Sequence, residues 1–317
     1  MPIDTTSQKP PIVVLTGPTA TGKTAASIRL AERFPIEVIN ADSRLFYRRM
    51  DIGTAKPSEE ERATVPHHLV DILEPEASTS LAEFQDRVYE LIRAIHDRRA
   101  LPVIVGGTLQ YINAIVEGWR IPRVQPQPEL RARLQHEAEA HGRDRLLARL
   151  AELDPAAART TGPNLRRIIR ALEVIEVTGR PISEQQGKSE VWFAPLLIGF
   201  TMPREMLYPR IDRRAEDQIA AGLVEEVRAL LDSGVPETAP ALGSIGYRQL
   251  LPYLSGQQTL AEALERIKHD THRLVRHQQT WLRKVPPLVE LDVSTDGWFD
   301  RLVTMIESHL ERHPLPQ

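Results

Sequence analysis

Eight residues near the amino end, Gly17, Pro18, Thr19, Ala20, Thr21, Gly22, Lys23 and Thr24, follow the pattern GxxxxGK[ST]. Glycines at both ends let a tight loop turn several backbone N–H groups toward one anion. Lys23 adds a mobile positive charge for the outer phosphate, and the Thr24 hydroxyl suits Mg²⁺. The pattern predicts a site for a di- or triphosphate.

A second candidate is Asp42, which follows the apolar run EVIN. Three roles are open to a carboxylate there: Mg²⁺ ligand, general base for an attacking nucleophile, or surface turn residue. A third apolar run, LPVIV at 101–105, ends in Gly106-Gly107-Thr108, where many nucleotide hydrolases carry an acid. The second acid that a motor or switch ATPase uses to position metal and water therefore has no candidate at that strand end. A transferase brings an outside nucleophile and needs only one base. The two glycines are expected to let a bulky ligand approach the backbone, with Thr108 as a hydroxyl partner. Group transfer from a diphosphate-bearing donor fits these residues best.

The acceptor is suggested by basic segments. Residues 266–284 carry six Lys or Arg against the single acid Asp270. At helical spacing Arg273, Arg276, Thr280 and Lys284 share a face, while Leu274 and Trp281 are expected to pack inward. Arg166, Arg167 and Arg170 lie opposite an apolar stripe, and Arg131 and Arg133 occupy another helix. Basic faces of this kind suit nucleic acid, although a solvated helix face is the commoner origin of a charge run. His67 and His68 have no partner at metal-ligand spacing and read as structural.

These residues need elements to hold them. Residues 11–16 (PIVVLT) read as a buried strand and 25–34 as a helix, so the phosphate pattern sits between strand and helix as its chemistry requires. Strand and helix alternate from 11 to 119, which predicts a parallel sheet flanked by helices with ligands at the strands' carboxyl ends. Three prolines in 120–128 mark a linker, and 129–188 reads as helical, with Asn164 as an N-cap and Gly179 as a stop. Strand character returns at 194–201. The predicted fold is an α/β phosphate-loop domain over 1–119 and 191–317, interrupted by an all-helical insertion at 120–190. A further helix is expected to begin near Pro209 and run to Asp232, and the terminal HPLPQ to be disordered.

Composition agrees with an ordinary soluble globular protein: 41% of residues are hydrophobic and 26% charged, the formal net charge is −3, and there is no cysteine. Disulfides and thiolate metal sites are excluded, and a reducing cytoplasm fits. No apolar run approaches the ~20 residues that a membrane span needs. The first ten residues lack the pattern of a secretory leader.

Taken together the motifs resemble the tRNA dimethylallyltransferases, also called tRNA isopentenyltransferases. GPTATGKT, NADS at 40–43, DIGTAKP at 51–57, PHHLVDI at 66–72, VGGT at 105–108, RRIIRALEV at 166–174, GLVEEV at 222–227, IGYRQ at 245–249 and QTWLRK at 279–284 occur in the family's order. DIGTAKP and PHHLVDI are the most specific of these, although neither has a physical meaning evident from sequence. The resemblance implies transfer of a dimethylallyl group from dimethylallyl diphosphate to N6 of the adenosine just 3′ of the anticodon, position 37 of tRNA. It implies that residues 17–24 hold the diphosphate with Mg²⁺ near Thr24. It also implies that Asp42 is the general base and that Thr19 and Arg214 surround the diphosphate and the breaking C–O bond. Contacts to the tRNA anticodon stem-loop are implied for Asp42, Ser43, Arg44, Leu45, Thr108, Arg131, Arg166, Arg167, Gly246, Tyr247, Arg248, Arg276, Gln279, Trp281 and Arg283. A cytoplasmic monomer is expected. The chain departs from the family at Leu165, where Asp is usual, and at His272 and His277, where Arg is commoner.

Three rival readings share parts of this pattern. A small-molecule kinase would use the same loop and base with ATP. A transferase prenylating free adenine nucleotides would need neither the insertion nor the basic helix. A nucleotide-dependent RNA-binding protein without enzymatic activity would have no use for Asp42, Thr19 and Arg214 together.

Overall fold

A computed structural model describes residues 8–283 and 288–316. Six strands form one parallel sheet: β1 Pro11–Thr16, β2 Ile36–Asn40, β3 His67–His68, β4 Leu101–Val105, β7 Ala194–Thr201 and β8 Leu288–Asp292. Its order is β3-β2-β4-β1-β7-β8. Two further strands, β5 Trp119–Arg120 and β6 Gly187–Lys188, pair antiparallel. β1, β2 and β4 are buried along their whole length, as expected for parallel strands covered on both faces. In register, Val13 lies beside Val103 on one side and Leu196 on the other. β1 is thus flanked by β4 and β7, and the loop that follows it leaves from the sheet's centre, where ligands gather in open α/β sheets.

The described residues form two compact units, one within 1–116 and 192–317 and the other at 117–191. In the first, Val13, Leu15, Val38 and Val103 pack with Ala26 and Leu30 of helix Lys23–Leu30 and with Phe299, Leu302 and Ile306 of helix Trp298–Arg312. A second cluster joins Tyr47 and Met50 to helices Leu223–Asp232, Tyr247–Leu254 and Leu260–Leu282. The other unit is built from helices Pro128–His141, Arg143–Leu153, Pro155–Thr161, Leu165–Thr178 and Ile182–Gln185, whose core includes Leu134, Leu146, Leu150, Ile168 and Leu172. Among the described residues no helix is long and apolar enough to cross a membrane.

Several elements differ from the sequence expectation. The helix expected to begin near Pro209 begins at Arg204, with Pro209 inside it. Proline removes one backbone donor there, but Leu207 and Ile211 on either side are buried and hold the turn against the core. That helix stops at Ala220. Gly222, at φ 101°, breaks the chain before a separate helix, Leu223–Asp232. The first helix ends at Leu30, short of Phe34, because its last turn tightens and Pro35 disfavours helical geometry at Phe34. Gly187–Lys188, expected to be helical, pairs with Trp119–Arg120. The linker is pinned rather than loose, since Arg170 donates to the carbonyls of Pro122 and Val124. At the carboxyl end, Leu315 packs on the sheet core. His67 and His68 form β3, where His67 Nδ1 meets the Val65 carbonyl at 2.8 Å and His68 Nε2 meets Glu37 at 2.6 Å. Residues 1–7, Lys284 and Gln317 lie outside the described residues.

Candidate active site

Residues 17–22 turn from β1 into helix Lys23–Leu30. Gly17 has φ 140°, and a Cβ there would stand 2.5 Å from the Phe200 carbonyl oxygen on β7. Gly22, at φ 86°, begins the helix with no side-chain cap, so its first N–H groups face open space, the arrangement that binds anions. The Thr21 hydroxyl closes the loop by donating to the Pro18 carbonyl at 2.8 Å. Lys23 Nζ donates to the carbonyls of Gly17 and Pro18 at 2.9 and 2.7 Å. Burial lowers its pKa to about 8, with the Asp42 carboxylate opposing that fall and Arg214 adding to it.

Asp42 follows β2 and is held by its neighbours. Its N–H donates to Asn40 Oδ1 at 2.8 Å, Asn40 Nδ2 donates back to the Asp42 carbonyl at 3.0 Å, and Asp42 Oδ1 accepts the Arg44 N–H at 3.0 Å. Arg214, on helix Arg204–Ala220, has only a long 3.4 Å contact to the Thr54 carbonyl and no carboxylate at ion-pair distance among the described residues. Burial pushes its pKa down, opposed by the charge of Asp42. Two cavities meet here. One of about 420 Å³ lies over the loop and is lined by Gly22, Lys23, Thr24, Leu45 and Lys56. The other, of about 480 Å³, is lined by Arg44, Ser244, Arg248, Asp270, Arg273 and His277. Thr19, Asp42 and Arg214 line both, so the three residues expected to do chemistry stand on the common wall.

The specific but uninterpreted motifs gain a physical meaning from their contacts. Lys56 of DIGTAKP has a side chain only 2% exposed and pairs with Asp51 and with Asp71 of PHHLVDI; Arg62 also binds Asp71. Glu226 of GLVEEV accepts the N–H groups of Asp51, Ile52 and Gly53 at 2.8, 2.8 and 3.2 Å. Tyr247 of IGYRQ donates its hydroxyl to the same carboxylate. A Cβ at Gly53 would fall 2.4 Å from the Tyr247 ring. These motifs fasten the 51–57 loop, which carries Thr54 and so the carbonyl that Arg214 touches.

Several residues expected to meet a ligand are engaged within the protein instead. Tyr247, expected at the tRNA surface, is fully buried, its ring filling the space over Gly53. Its pKa is raised by burial and by the Glu226 carboxylate. The missing side chains of Gly106 and Gly107 admit other parts of the protein, although Gly106 also lines the loop cavity. A Cβ at Gly106 would strike the Ala41 backbone at 2.3 Å, and one at Gly107 would lie 2.5 Å from Gln278 Nε2. The Thr108 hydroxyl accepts from the Ser43 N–H at 3.3 Å, holding the turn after Asp42. Thr19 commits its N–H to Gln278 Oε1 at 3.1 Å. Gln278 escaped sequence reading because a polar residue inside the stripe Val275, Gln278, Leu282 hides the buried face. Leu274 and Trp281, expected inward, are each 38% exposed.

On helix Leu260–Leu282, Arg273 and Arg276 are exposed and make no ion pair among the described residues, Arg273 at the rim of the second cavity; Arg283, just past the helix end, is also exposed. Gln279 accepts from Arg204, and Arg248 is paired with Asp270 at 2.9 Å. His272 stacks on Tyr208 with ring centroids 4.1 Å apart and its Nε2 2.9 Å from Asp212, so it faces a neighbouring helix. Ser43, Arg44 and Leu45 follow Asp42 directly, with Arg44 exposed, and Gly246 begins the helix of Tyr247. In the helical unit Arg166 and Arg167 are exposed. Arg131 instead forms a bidentate pair with Glu173, whose side chain is fully buried and also accepts from Arg170 and the Gln127 N–H. Burial pushes the Glu173 carboxyl up, but these donors outweigh it and hold its pKa below the ordinary value. Arg133 pairs with Glu176. Arg131, Arg133 and Arg170 are therefore each engaged by a carboxylate of the protein, with Arg131 and Arg170 sharing Glu173.

Among the described residues no group of three or more His, Asp or Glu could hold a metal ion. The loop cavity offers the Thr24 hydroxyl and the Asp42 carboxylate, while its other carboxylate, Glu61, accepts the Ser58 N–H at 2.8 Å. Thr24 and Asp42 fit a Mg²⁺ ion that keeps waters and takes most other ligands from a diphosphate.

The family model for IPP transferase matches residues 45–285. A tRNA dimethylallyltransferase of Thermomicrobium roseum is 50% identical over 305 residues, covering 96% of this chain and 93% of its own length. One from a Roseiflexus species is 47% identical over 95% of this chain and 99% of its own. The solved tRNA isopentenylpyrophosphate transferase of Bacillus halodurans superimposes with TM-score 0.72 at 38% identity, covering 96% of this chain and 98% of that one. A eukaryotic dimethylallyltransferase solved acting on tRNA superimposes with TM-score 0.83 at 26% identity, covering 97% of this chain and 81% of that one.

Proposed function

This chain belongs to the IPP transferase family, and on that premise we propose that the cavity over its phosphate loop takes dimethylallyl diphosphate, while the adjoining cavity takes an adenine of the tRNA anticodon loop. The chain is a prenyltransferase that moves a dimethylallyl group onto tRNA. The finer assignments are N6 of adenosine 37 as acceptor, Mg²⁺ as the ion beside Thr24, and a cytoplasmic monomer as the working form. One observation supports the donor and acceptor assignment above others: Thr19, Asp42 and Arg214 line both cavities, so a bond broken in one can be formed from the other.

The chemistry follows from those positions. The N6 lone pair of adenine is delocalised into the ring and attacks weakly. An anticodon loop lets the base leave its stack at modest cost and enter a pocket. As N6 forms its bond to the allylic carbon, the C–O bond to the diphosphate breaks and its electron pair leaves on oxygen. Lys23, Arg214 and the N–H groups at the start of helix Lys23–Leu30 stabilise the charge growing there. The N6 proton, acidified by the new bond, passes to the Asp42 carboxylate, which Asn40 and the Arg44 N–H hold at the wall. Thr24 would hold Mg²⁺, which when bound supplies charge neutralisation to the diphosphate.

The test is incubation of the purified protein with unmodified tRNA, dimethylallyl diphosphate and Mg²⁺, followed by mass analysis of the nucleosides. A gain of one dimethylallyl group on the adenosine 3′ of the anticodon is expected. Turnover of ATP with a small acceptor and no change in the tRNA would replace this reading with a kinase. Prenylation of free adenine nucleotide in preference to tRNA would replace the acceptor.

A further inference from the structure

Gln278 lies in the middle of helix Leu260–Leu282 and is 9% exposed, in a stripe whose neighbours Val275 and Leu282 are buried. A buried amide is costly unless both of its ends are bonded. Here both are, and to turns far away in sequence. Oε1 accepts the Thr19 N–H at 3.1 Å, and Nε2 donates to the Gly107 carbonyl at 3.2 Å. The orientation of the amide is dictated by these partners, since a flip would set N–H against N–H and oxygen against oxygen. Gly107 is matched to it, because any Cβ there would sit 2.5 Å from Nε2.

We propose that Gln278 is a positioning residue for the transfer step: by accepting the Thr19 N–H and tying it to the Gly107 turn, it aims the Thr19 hydroxyl into the reaction wall. It thereby sets the phosphate loop in register with the helix that lines the acceptor cavity. Among the described residues the Thr19 hydroxyl has no hydrogen-bond partner, and Thr19 lines both cavities. Arg273, Leu274 and His277 of Gln278's own helix line the acceptor side. One side chain therefore joins the donor loop, the Gly106-Gly107 turn behind Asp42 and the acceptor wall. It touches no reacting atom. The proposal rests on the assignment of the two cavities made above.

Three variants test it. Gln278→Met keeps the volume and removes both hydrogen bonds. Because displacing a reacting group by about 1 Å costs on the order of 10²-fold, kcat should fall about 10- to 100-fold, with donor KM and tRNA Kd changed less than about threefold. Gln278→Glu offers a pH readout. Its carboxylate opposes the Gly107 carbonyl, whereas its protonated form donates to that carbonyl and accepts from Thr19. Burial raises the pKa of such a group, so the ratio of variant to wild-type kcat should climb as pH falls from about 8 to about 6. The Met variant's ratio should stay flat. Gly107→Ala should reproduce the Met phenotype from the other side of the bond, and the double variant should be no slower than the slower single. Wild-type kcat in Gln278→Met, a flat ratio in Gln278→Glu, or additive losses in the double variant would each overturn the proposal. So would a loss that tracks only the fraction of folded protein, read by thermal melting. Failure of the wild-type protein to prenylate tRNA would instead overturn the cavity assignment.

Discussion

Replacing Asp42 by asparagine separates basicity from position. The substituted amide would keep an oxygen for the Arg44 N–H, now bonded at 3.0 Å, and the backbone clamp from Asn40 would be untouched. The fold at the wall should therefore survive, and only the ability to take the N6 proton is lost. A positioned general base contributes about 10²–10⁴-fold, so kcat should fall by that factor, about 3–5 kcal/mol in the barrier. Donor binding should move the other way. Asp42 is the negative charge felt by Lys23 and Arg214, and removing it lessens repulsion of the diphosphate. Donor KM should hold or fall, and tRNA affinity should change little. The assay is single turnover: enzyme and tRNA preformed, labelled dimethylallyl diphosphate added, and prenylated tRNA counted after rapid quench. A rate constant within about threefold of wild type would show that Asp42 is not the base. If activity returned at high Mg²⁺, Asp42 would be a metal ligand instead.

Lys23 gives a pH dependence with a defined sign. Burial lowers its pKa to about 8, so the charged form that meets the diphosphate is lost from the free enzyme as pH rises through that value. Donor KM should rise about tenfold per pH unit above it, and Lys23→Arg should flatten the rise because a guanidinium stays charged; a flat wild-type KM to about pH 9.5 would refute this. The basic surfaces divide into exposed and matched charges. Arg276→Ala should lower tRNA affinity and reduce the slope of log K against log salt by about one unit at most, while Arg228→Ala, 3.9 Å from Glu225, serves as the control; equal effects would show a merely solvated helix. Arg131→Ala should cost about 1–3 kcal/mol of stability, because Glu173 stays buried with only Arg170 and the Gln127 N–H as partners, whereas Arg166→Ala should weaken tRNA binding with no change in melting; identical melting of the two variants would be the refuting result.

Short-range pattern alone determined the phosphate loop, strands β1, β2, β4 and β7, and the acid after β2. Glycine spacing, β-branched runs and helical period are properties of a few adjacent residues and act wherever those residues occur. The family order of the motifs was likewise legible, but their purpose was not. Lys56 is explained by Asp71, and residues 51–53 by Glu226, and each pair meets only after folding brings separate loops together. The same limit hid the fate of charges. Arg131 and Arg166 look alike in a helix, yet one faces a buried carboxylate and the other faces solvent, because helix packing decides which face gains a partner. Gln278 is the sharpest case. Nothing in its sequence neighbourhood marks it as buried, and only the approach of the phosphate loop and the Gly107 turn supplies the donor and acceptor that make a buried amide stable there.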